Sequence, residues 1–211
     1  MEDVLDLYEE QYDPAYPTVC FDEKLLAPEA DVRPREPMAP GQAERIDYEY
    51  ERLGTANLFF FVDPLTGWRH VEMTEHRTKI DYAHCIRWLV DYVYPHAEYI
   101  RIVQDNLNTH TPAALYEADL PAEARRILQR VEFHYTPKHG SWLNMAEIEI
   151  AIFARRCLSR RVDSMQILHQ RIAALEAERN AHRSTISWRF TSNDARVKLH
   201  DLHPNIKNNL D

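Results

Sequence analysis

The sequence predicts an α/β domain built on a mixed five-stranded sheet with flanking helices. Three observations support this prediction. A short β-branched segment, residues 18–22, is followed by two apolar segments, residues 57–62 and 68–74, and the sequence DPLTG between those two is typical of a hairpin turn. Two further strand-like segments, residues 99–103 and 131–135, follow later, and a helical pattern precedes each of them.

The helical patterns alternate with these later strands. Thr78 begins an amphipathic helix that ends before Pro95, and a second helical stretch, interrupted by a proline, runs over residues 112–129. Two more helices are expected at residues 143–161 and 164–182. A hairpin followed by strand–helix–strand crossovers is the element order of ribonuclease H-like folds, whereas a doubly wound sheet would not begin with a hairpin.

The composition is that of a soluble protein. A chain of 211 residues forms one domain, or two at most. No apolar run approaches the length of a membrane span, and the acidic start MEDVLDLYEE does not have the form of a signal peptide, so we expect a cytoplasmic protein with no membrane partner. Cys20, Cys85 and Cys157 are odd in number and widely spaced, which argues against a disulfide framework or a cysteine-rich zinc site.

The net charge of −9 is unevenly distributed. Residues 1–50 contain 4 Lys and Arg against 14 Asp and Glu, whereas residues 151–211 contain 11 against 6. A basic C-terminal quarter suits a surface that faces phosphate groups. A solvated basic helix face is an equally good interpretation of the same pattern.

The predicted domain boundaries follow from these patterns. We expect an acidic lead-in at residues 1–17, the ribonuclease H-like domain at 18–204, and a short tail at 205–211. Within the domain, residues 27–46 are rich in proline and are expected to form an excursion without regular structure.

Two acids lie at the ends of neighbouring predicted strands. Asp22 ends the first strand, and Asp105 follows the strand at residues 99–103. In this topology the two strands are parallel neighbours, so both carboxylates should lie at one edge of the sheet. Adjacent carboxylates repel each other unless a cation lies between them, and oxygen donors suit Mg²⁺ or Mn²⁺. The alternative is that Asp105 and Asn106 form only a turn.

A third acid is expected from the helix at residues 143–161. At about 100° per residue, Glu147 falls on the apolar arc that should face the sheet, and Glu149 falls about 200° away, on the side of Arg156 and Arg160. A buried carboxylate is costly unless it is paired or bound to metal. We therefore expect Glu147 to complete a metal site and Glu149 to be a solvated, ion-pairing residue; a buried but satisfied structural Glu147 is the alternative.

Five ordered motifs resemble the catalytic domain of the DDE insertion-sequence transposases related to the mariner elements. They are FDEK around Asp22, DYEYERLGTANLF, QDNLNTHT around Asp105, HYTPKHGSWLNMAEIE around Glu147, and SWRFTSNDAR near the end. The resemblance extends from about residue 4 to residue 204. It implies a ribonuclease H-like fold and assigns the catalytic, metal-binding triad to Asp22, Asp105 and Glu147, the same acids that the topology selects.

The resemblance also implies metal-dependent cleavage and joining of DNA strands. Two Mg²⁺ or Mn²⁺ ions, about 3.5–4 Å apart, would promote in-line attack on phosphorus. The implied partners are transposon ends, TA-type target DNA and a second copy of the chain, and the implied location is the bacterial cytoplasm, at the nucleoid when DNA is bound. Because the family usually carries a helix-turn-helix region before this domain, a separate helix-turn-helix polypeptide is a further expected partner.

Two groups of residues are candidate DNA contacts. The first comprises loop residues near the acids, and the second comprises basic residues on the last helices. They are Asn106, His110, Lys138, His139, Arg155, Arg156, Arg160 and Arg161. His110 is a candidate either to orient a metal-bound water or to contact a phosphate, and a helix cap is an equally good interpretation of it. A solvated loop is an equally good interpretation of Lys138 and His139.

Two rival functions remain open from the sequence. The first is a nuclease of the ribonuclease H type that cuts strands without joining them. The second is a truncated transposase that binds DNA or a full-length transposase and regulates it without catalysis. A phospho-acceptor domain with Asp105 as the acceptor is disfavoured, because that fold does not begin with a hairpin.

Overall fold

The structure is a computed structural model, and it describes residues 1–45 and 47–198. Its strands are β1 (Thr18–Leu26), β2 (Glu29–Asp31), β3 (Tyr50–Arg52), β4 (Ala56–Asp63), β5 (Trp68–Thr74), β6 (Ile100–Gln104) and β7 (Val131–Tyr135). Its helices are α1 (Glu2–Glu9), α2 (Lys79–Trp88), α3 (Ala113–Ala118), α4 (Pro121–Leu128), α5 (Ala146–Arg156), α6 (Met165–Ala181) and α7 (Ser192–Lys198). A π-helical turn, Leu89–Val93, extends α2, and a 3-10 turn, Ser141–Leu143, precedes α5. The predicted boundary at residue 204 and the tail at 205–211 lie outside the described residues.

Five strands form the main sheet in the order β5-β4-β1-β6-β7. β4 is antiparallel to both β5 and β1, whereas β6 is parallel to both β1 and β7. Cys20 is paired with Val62 on one side and with Val103 on the other, which places β1 at the centre. The predicted mixed five-stranded sheet is confirmed, and so is the parallel pairing of the first strand with the strand that follows the first crossover helix.

Both faces of the sheet are covered. All eight residues of β4 are buried, because β4 lies inside the sheet and alternates its side chains between two cores. Leu58 and Phe60 pack with residues of α1, α5 and α6, and Phe59 and Phe61 pack with residues of α2, α3 and α4. This arrangement explains why the sequence of β4 is an unbroken apolar run rather than an alternating one.

The outer edge of β5 is closed by side chains of α6. The backbone of Arg69 donates to Asn180 Oδ1 at 2.9 Å and accepts from Asn180 Nδ2 at 2.8 Å. The backbone N–H of Val71 donates to Glu176 Oε2 at 2.9 Å. Polar groups at the edge of a sheet need such partners, since an open edge can pair with another chain. The helix therefore protects one side of the sheet.

Two segments depart from the sequence prediction. The excursion at residues 27–46 was expected to be irregular, yet it contains β2, which pairs with β3 outside that segment. The lead-in at residues 1–17 contains α1, whose Val4, Leu5 and Leu7 are buried in the main core. Both elements depend on distant partners, which a local pattern does not reveal.

The helix that was predicted at residues 143–161 is shorter. It begins at Ala146, because the 3-10 turn comes first, and it ends at Arg156. Beyond that point the backbone leaves the helix, and the N–H of Val162 donates to the carbonyl of Glu29 at 2.9 Å. None of the helices in the described part of the chain is long and apolar enough to cross a membrane.

Candidate active site

Asp22 and Asp105 lie at the same edge of the main sheet. β1 pairs with β6 only over residues 18–20, and beyond Cys20 it continues along β4 to Leu26. The prediction that Asp22 ends its strand is therefore wrong, because β4 supports β1 past the point where β6 stops. Asp22 nevertheless lies just beyond the last residue paired with β6, and Asp105 directly follows β6.

The Asp22 carboxylate is partly buried and surrounded by other acids. Its Oδ1 accepts a hydrogen bond from the Glu23 backbone N–H at 2.8 Å, and Asn144 Nδ2 lies 3.4 Å from its Oδ2. Burial, together with the negative charges of Glu147 and Asp105, raises the pKa of Asp22 to about 7. The hydrogen bond from the Glu23 N–H acts in the opposite direction and lowers it. The pKa of Asp22 therefore depends on the charges of Glu147 and Asp105, the other two predicted members of the triad.

Asp105 is held by one of its two carboxylate oxygens. Its Oδ1 contacts His110 Nδ1 at 2.7 Å and accepts from the Leu107 backbone N–H at 3.3 Å. The hydrogen bond from His110 lowers the pKa of Asp105, and this effect outweighs that of burial. Asp105 is therefore ionised at neutral pH, with Oδ2 left without a protein donor among residues 1–45 and 47–198.

The burial of the two glutamates on α5 is the reverse of the prediction. Glu147 is exposed and Glu149 is fully buried. The buried positions of the helix are Ala146, Glu149, Ile150 and Phe153, which have the i, i+3, i+4, i+7 spacing of a face packed on a core. The helical-face argument for Glu147 is therefore wrong.

Arginine partners explain the burial of Glu149. Its carboxylate accepts hydrogen bonds from Arg179 Nε at 2.7 Å and Nη2 at 2.5 Å, and Arg69 Nη2 lies 3.3 Å from Oε1. Arg69 is itself buried and donates to the backbone carbonyls of Arg179 and Ser184. The prediction assumed that a buried carboxylate on this helix would need a metal, but two guanidinium groups from β5 and α6 neutralise Glu149 instead.

Glu147 remains near the sheet acids despite its exposure, because its charge contributes to the raised pKa of Asp22. Glu149 does not appear among the causes of that rise. Within residues 1–45 and 47–198, no three His, Cys, Asp or Glu side chains are arranged to hold a metal ion together. The convergence of the three carboxylates on a single metal-binding point therefore stays a prediction.

The loop candidates for DNA contact divide into exposed and buried residues. Asn106, Lys138 and His139 are exposed, and the last two lie between β7 and the 3-10 turn. His110 is fully buried, so the expectation that it contacts DNA is wrong in this structure. Its ring lies under the sheet edge, where it contacts Asp105 rather than solvent.

The four basic candidates for DNA contact differ in their exposure and in their ion pairs. Arg155 and Arg160 are exposed. Arg156 is exposed as well, but it forms a bidentate pair with Glu178, with both contacts at 2.8 Å. Arg161 is mostly buried by the excursion.

Arg161 fastens the excursion to the end of α5. Its Nη1 donates to Asp31 Oδ1 at 2.9 Å and to the backbone carbonyl of Asp47 at 2.8 Å, and its guanidinium lies 5.2 Å from the centre of the Tyr50 ring. The expected DNA contact by Arg161 is therefore corrected to a structural contact, because its donors are already used inside the protein.

Sequence reasoning missed Asn144. This buried side chain donates to the carbonyl of Phe21 at 2.7 Å and accepts from the Ala146 N–H at 3.1 Å, so it ties the start of α5 to β1 beside Asp22. An asparagine just before a helix is a recognisable cap. The signal was overlooked because the predicted helix started at residue 143 and enclosed it.

The comparisons with known proteins concern the family and the fold of the chain. Residues 17–169 match the family model of the DDE superfamily endonucleases. No curated protein sequence matches the chain. Among solved structures, the chain is similar to the protein in the crystal structure of the Mos1 strand transfer complex, with a TM-score of 0.57 and 16% sequence identity over 86% of this chain and 55% of that chain.

At this identity the shared property is the fold, and the chain spans about half the length of the solved relative. The predicted ribonuclease H-like fold is confirmed by that likeness, together with the strand order β5-β4-β1-β6-β7. Because the family model covers most of the chain, including Asp22, Asp105 and Glu147, this chain belongs to the DDE superfamily endonucleases, and it shares its fold with the protein of the Mos1 strand transfer complex.

Proposed function

We propose that this chain is a transposase catalytic domain that performs metal-dependent cleavage and strand transfer of DNA. The observation that carries the proposal is that Asp22 and Asp105 lie at one edge of the sheet, where the parallel strands β1 and β6 stop pairing, and that the charge of Glu147 adds to the raised pKa of Asp22. These acids come from β1, from the end of β6 and from the first turn of α5. In a DDE endonuclease, an acidic group at that position supports divalent-cation chemistry on phosphodiesters.

The donor set fits a hard divalent cation. Burial and the neighbouring negative charges disfavour ionised Asp22, so a cation at this edge would relieve the repulsion. Asp105 keeps Oδ2 available, and Glu147 presents an exposed carboxylate without an ion-pair partner among the described residues. Carboxylate oxygens are the ligands that Mg²⁺ and Mn²⁺ prefer.

The residues of the site would have different roles in the reaction. When bound, Mg²⁺ or Mn²⁺, expected as a pair of ions, would activate the attacking oxygen and stabilise the leaving oxygen. Asp22 would hold the site rigidly, because it lies in a paired strand, and Asp105 would hold it from the position directly after β6. Glu147 would close the site from the solvent side. The exposed Lys138 and His139 would contact the DNA backbone and fix its register.

DNA is the proposed partner. We propose transposon ends and TA-type targets as the DNA substrates, with a second copy of the chain and a helix-turn-helix polypeptide as protein partners. The family membership and the fold shared with the protein of a strand transfer complex support the DNA assignment. We place the protein at the bacterial nucleoid while DNA is bound.

A two-substrate assay tests the proposal. The purified chain is incubated with Mn²⁺ and supercoiled plasmid to detect cleavage, and with a labelled duplex that carries a free 3′-hydroxyl to detect joining to the plasmid. We expect both products from the wild type and neither from Asp22→Asn, Asp105→Asn or Glu147→Gln.

The matched control is Glu51→Gln, which neutralises an exposed acid on β3, outside the site. Cleavage without joining would indicate a nuclease of the ribonuclease H type. DNA binding without either product would indicate a non-catalytic regulator. If the triad variants were as active as the wild type, the three acids would not form the active site.

A further inference from the structure

His110 is buried between two carboxylates. Its Nδ1 lies 2.7 Å from Asp105 Oδ1, and its Nε2 lies 3.3 Å from Glu23 Oε2. The ring is fully inaccessible, and it packs edge-on against Phe21, with centroids 4.9 Å apart, and against Tyr82 at 5.1 Å. Nδ1 makes a hydrogen bond with Asp105, whereas the contact between Nε2 and Glu23 is an electrostatic one without hydrogen-bond geometry.

The backbone of His110 is fixed as well as its ring. Its carbonyl accepts a hydrogen bond from Gln104 Nε2 at 2.8 Å, and the Tyr82 hydroxyl donates to Gln104 Oε1 at 2.8 Å. The N–H of His110 donates to the carbonyl of Leu107 at 2.9 Å. Neither the backbone nor the ring of His110 can move without breaking a buried hydrogen bond.

Glu23 lies on the same face of the sheet as the His110 ring, which packs against Phe21. It follows Asp22 in β1, so its side chain projects from the face opposite to that of Asp22. Its carboxylate is nearly buried, with 7% of the side chain exposed, and its Oε1 lies 2.9 Å from Arg77 Nη1. The contacts therefore run in series from Arg77 through Glu23 and His110 to Asp105.

The two carboxylate oxygens of Asp105 have different surroundings. Oδ1 is engaged by His110 Nδ1 and by the Leu107 N–H, whereas no donor reaches Oδ2 in the described part of the chain. Asp105 is otherwise the loosest of the sheet acids, since 43% of its side chain is exposed and it lies just past the end of β6. Without the histidine, only the longer hydrogen bond from the Leu107 N–H, at 3.3 Å, would restrain its carboxylate.

We infer that His110 is a positioning residue, held by Glu23 and Arg77, that fixes the Asp105 carboxylate so that Oδ2 faces a divalent cation. The inference rests on the function proposed above, because it assigns a cation to Asp105. A histidine with a purely structural role would stabilise the loop after β6 and would have no specific effect on cation affinity. The two roles therefore differ in a property that can be measured.

Two substitutions of the ring separate these roles. His110→Leu keeps a similar volume and removes the donor to Asp105, whereas His110→Asn keeps a donor near the position of Nδ1. Loss of a group that orients a metal ligand commonly weakens metal affinity or activity by about 10- to 100-fold. We expect His110→Leu to weaken Mn²⁺ binding by that factor and His110→Asn to recover part of it.

The matched control is Tyr82→Phe. It removes a buried hydrogen bond beside the same ring but leaves the contact between His110 and Asp105 intact. Mn²⁺ affinity is measured by electron paramagnetic resonance, with and without a DNA duplex, and the melting temperature of each metal-free variant is recorded alongside. We expect Tyr82→Phe to lower the melting temperature while Mn²⁺ affinity stays within about twofold of the wild type.

Four outcomes are decisive. Weak Mn²⁺ binding by His110→Leu, with recovery in His110→Asn, supports positioning. Equal losses in His110→Leu and Tyr82→Phe at equal melting temperatures would overturn it in favour of a structural role. If wild-type protein binds no Mn²⁺ with or without DNA, the proposed function and this inference both fail, whereas wild-type binding that His110→Leu leaves unchanged removes this inference alone.

Discussion

Glu149 and Arg179 form a buried, bidentate ion pair two residues along α5 from the exposed Glu147. The pair joins α5 to α6, and Arg69 adds a contact from β5 at 3.3 Å. One glutamate of the helix therefore faces the protein interior, and the other, which is proposed to belong to the active site, is exposed. This division gives the two glutamates different expected phenotypes.

Glu147→Gln and Glu149→Gln should separate activity from stability. Glu147 is exposed, so its substitution should change the free energy of unfolding by less than about 0.5 kcal/mol. Glu149→Gln leaves two arginines without their counter-charge and should cost about 3–5 kcal/mol. Urea denaturation measures both values, and Mn²⁺-dependent plasmid cleavage should be lost in Glu147→Gln only, at a temperature where both variants are folded.

The opposite pattern, a stable but inactive Glu149→Gln beside an active Glu147→Gln, would contradict the assignment of the third acid. Reduced activity of Glu149→Gln in proportion to its unfolded fraction would be consistent with the ion pair as described.

The glutamate pair also shows what the sequence could and could not predict. β4, β5 and β7 were predicted to within one residue, because apolar runs and a hairpin turn are local signals. The partners of Glu149 lie on β5 and α6, far away in the chain. A local sequence pattern therefore does not distinguish a glutamate that is neutralised by arginine from a glutamate that binds a metal. Asp22 and Asp105 could be placed because topology alone brings their strands together.

The same reasoning applies to His110 and to the excursion. The sequence left open three interpretations of His110: orientation of a metal-bound water, a phosphate contact or a helix cap. None of them included Glu23, because the two residues meet only in the folded sheet. The strand β2 was missed since its partner β3 lies outside the proline-rich segment. Contacts that depend on burial or on distant pairing were the ones that local patterns failed to predict.

Mn²⁺ should stabilise the folded chain. A cation that binds only the native state raises the free energy of unfolding by about 2.7 kcal/mol at 100 times its dissociation constant. Scanning fluorimetry at millimolar Mn²⁺ should therefore show a raised melting temperature in the wild type and a smaller rise in Asp105→Asn. Glu51→Gln, on β3, serves as the control and should respond like the wild type. An equal rise in all three proteins would point to unspecific binding elsewhere.

The exposed and the occupied arginines should differ in their effects on DNA binding. Arg155 and Arg160 are exposed and have no ion-pair partner within residues 1–45 and 47–198, although Arg155 Nε donates to the Ala151 carbonyl at 3.3 Å. Each phosphate contact contributes about 0.9 to the slope of log K against log salt. Replacing both with alanine should therefore flatten the slope by up to about 2 without a change in stability. Fluorescence anisotropy of a labelled duplex, titrated from low to moderate salt, provides the measurement.

Arg161→Ala should instead loosen the excursion. Its guanidinium contacts Asp31 and the backbone of Asp47, so its removal should increase hydrogen exchange in β2 and β3. The salt slope of DNA binding should stay close to that of the wild type. A slope that flattens as much as in the double variant would contradict the structural role of Arg161.

His70 should make the stability of the fold depend on pH in the alkaline range. Burial alone would lower its pKa, but contacts from Nδ1 to Glu176 at 3.0 Å and from Nε2 to Glu72 at 3.3 Å outweigh burial and raise the pKa to about 9. The folded-state pKa therefore lies above the unfolded value of about 6.5. The resulting stabilisation, roughly 2–3 kcal/mol, is fully present below about pH 6.5 and is lost as the pH rises through 9.

His70→Gln should consequently be most destabilised relative to the wild type near pH 6, and the difference should shrink by pH 10. A pH-independent remainder is expected, because the ring also packs against Trp88 with centroids 4.4 Å apart. His84→Gln, an exposed histidine on α2, is the control and should follow the wild type at every pH. Urea denaturation from pH 5.5 to 10 measures the difference in the free energy of unfolding between His70→Gln and the wild type. If that difference stays constant over the range, the two glutamates do not stabilise the imidazolium in the folded state.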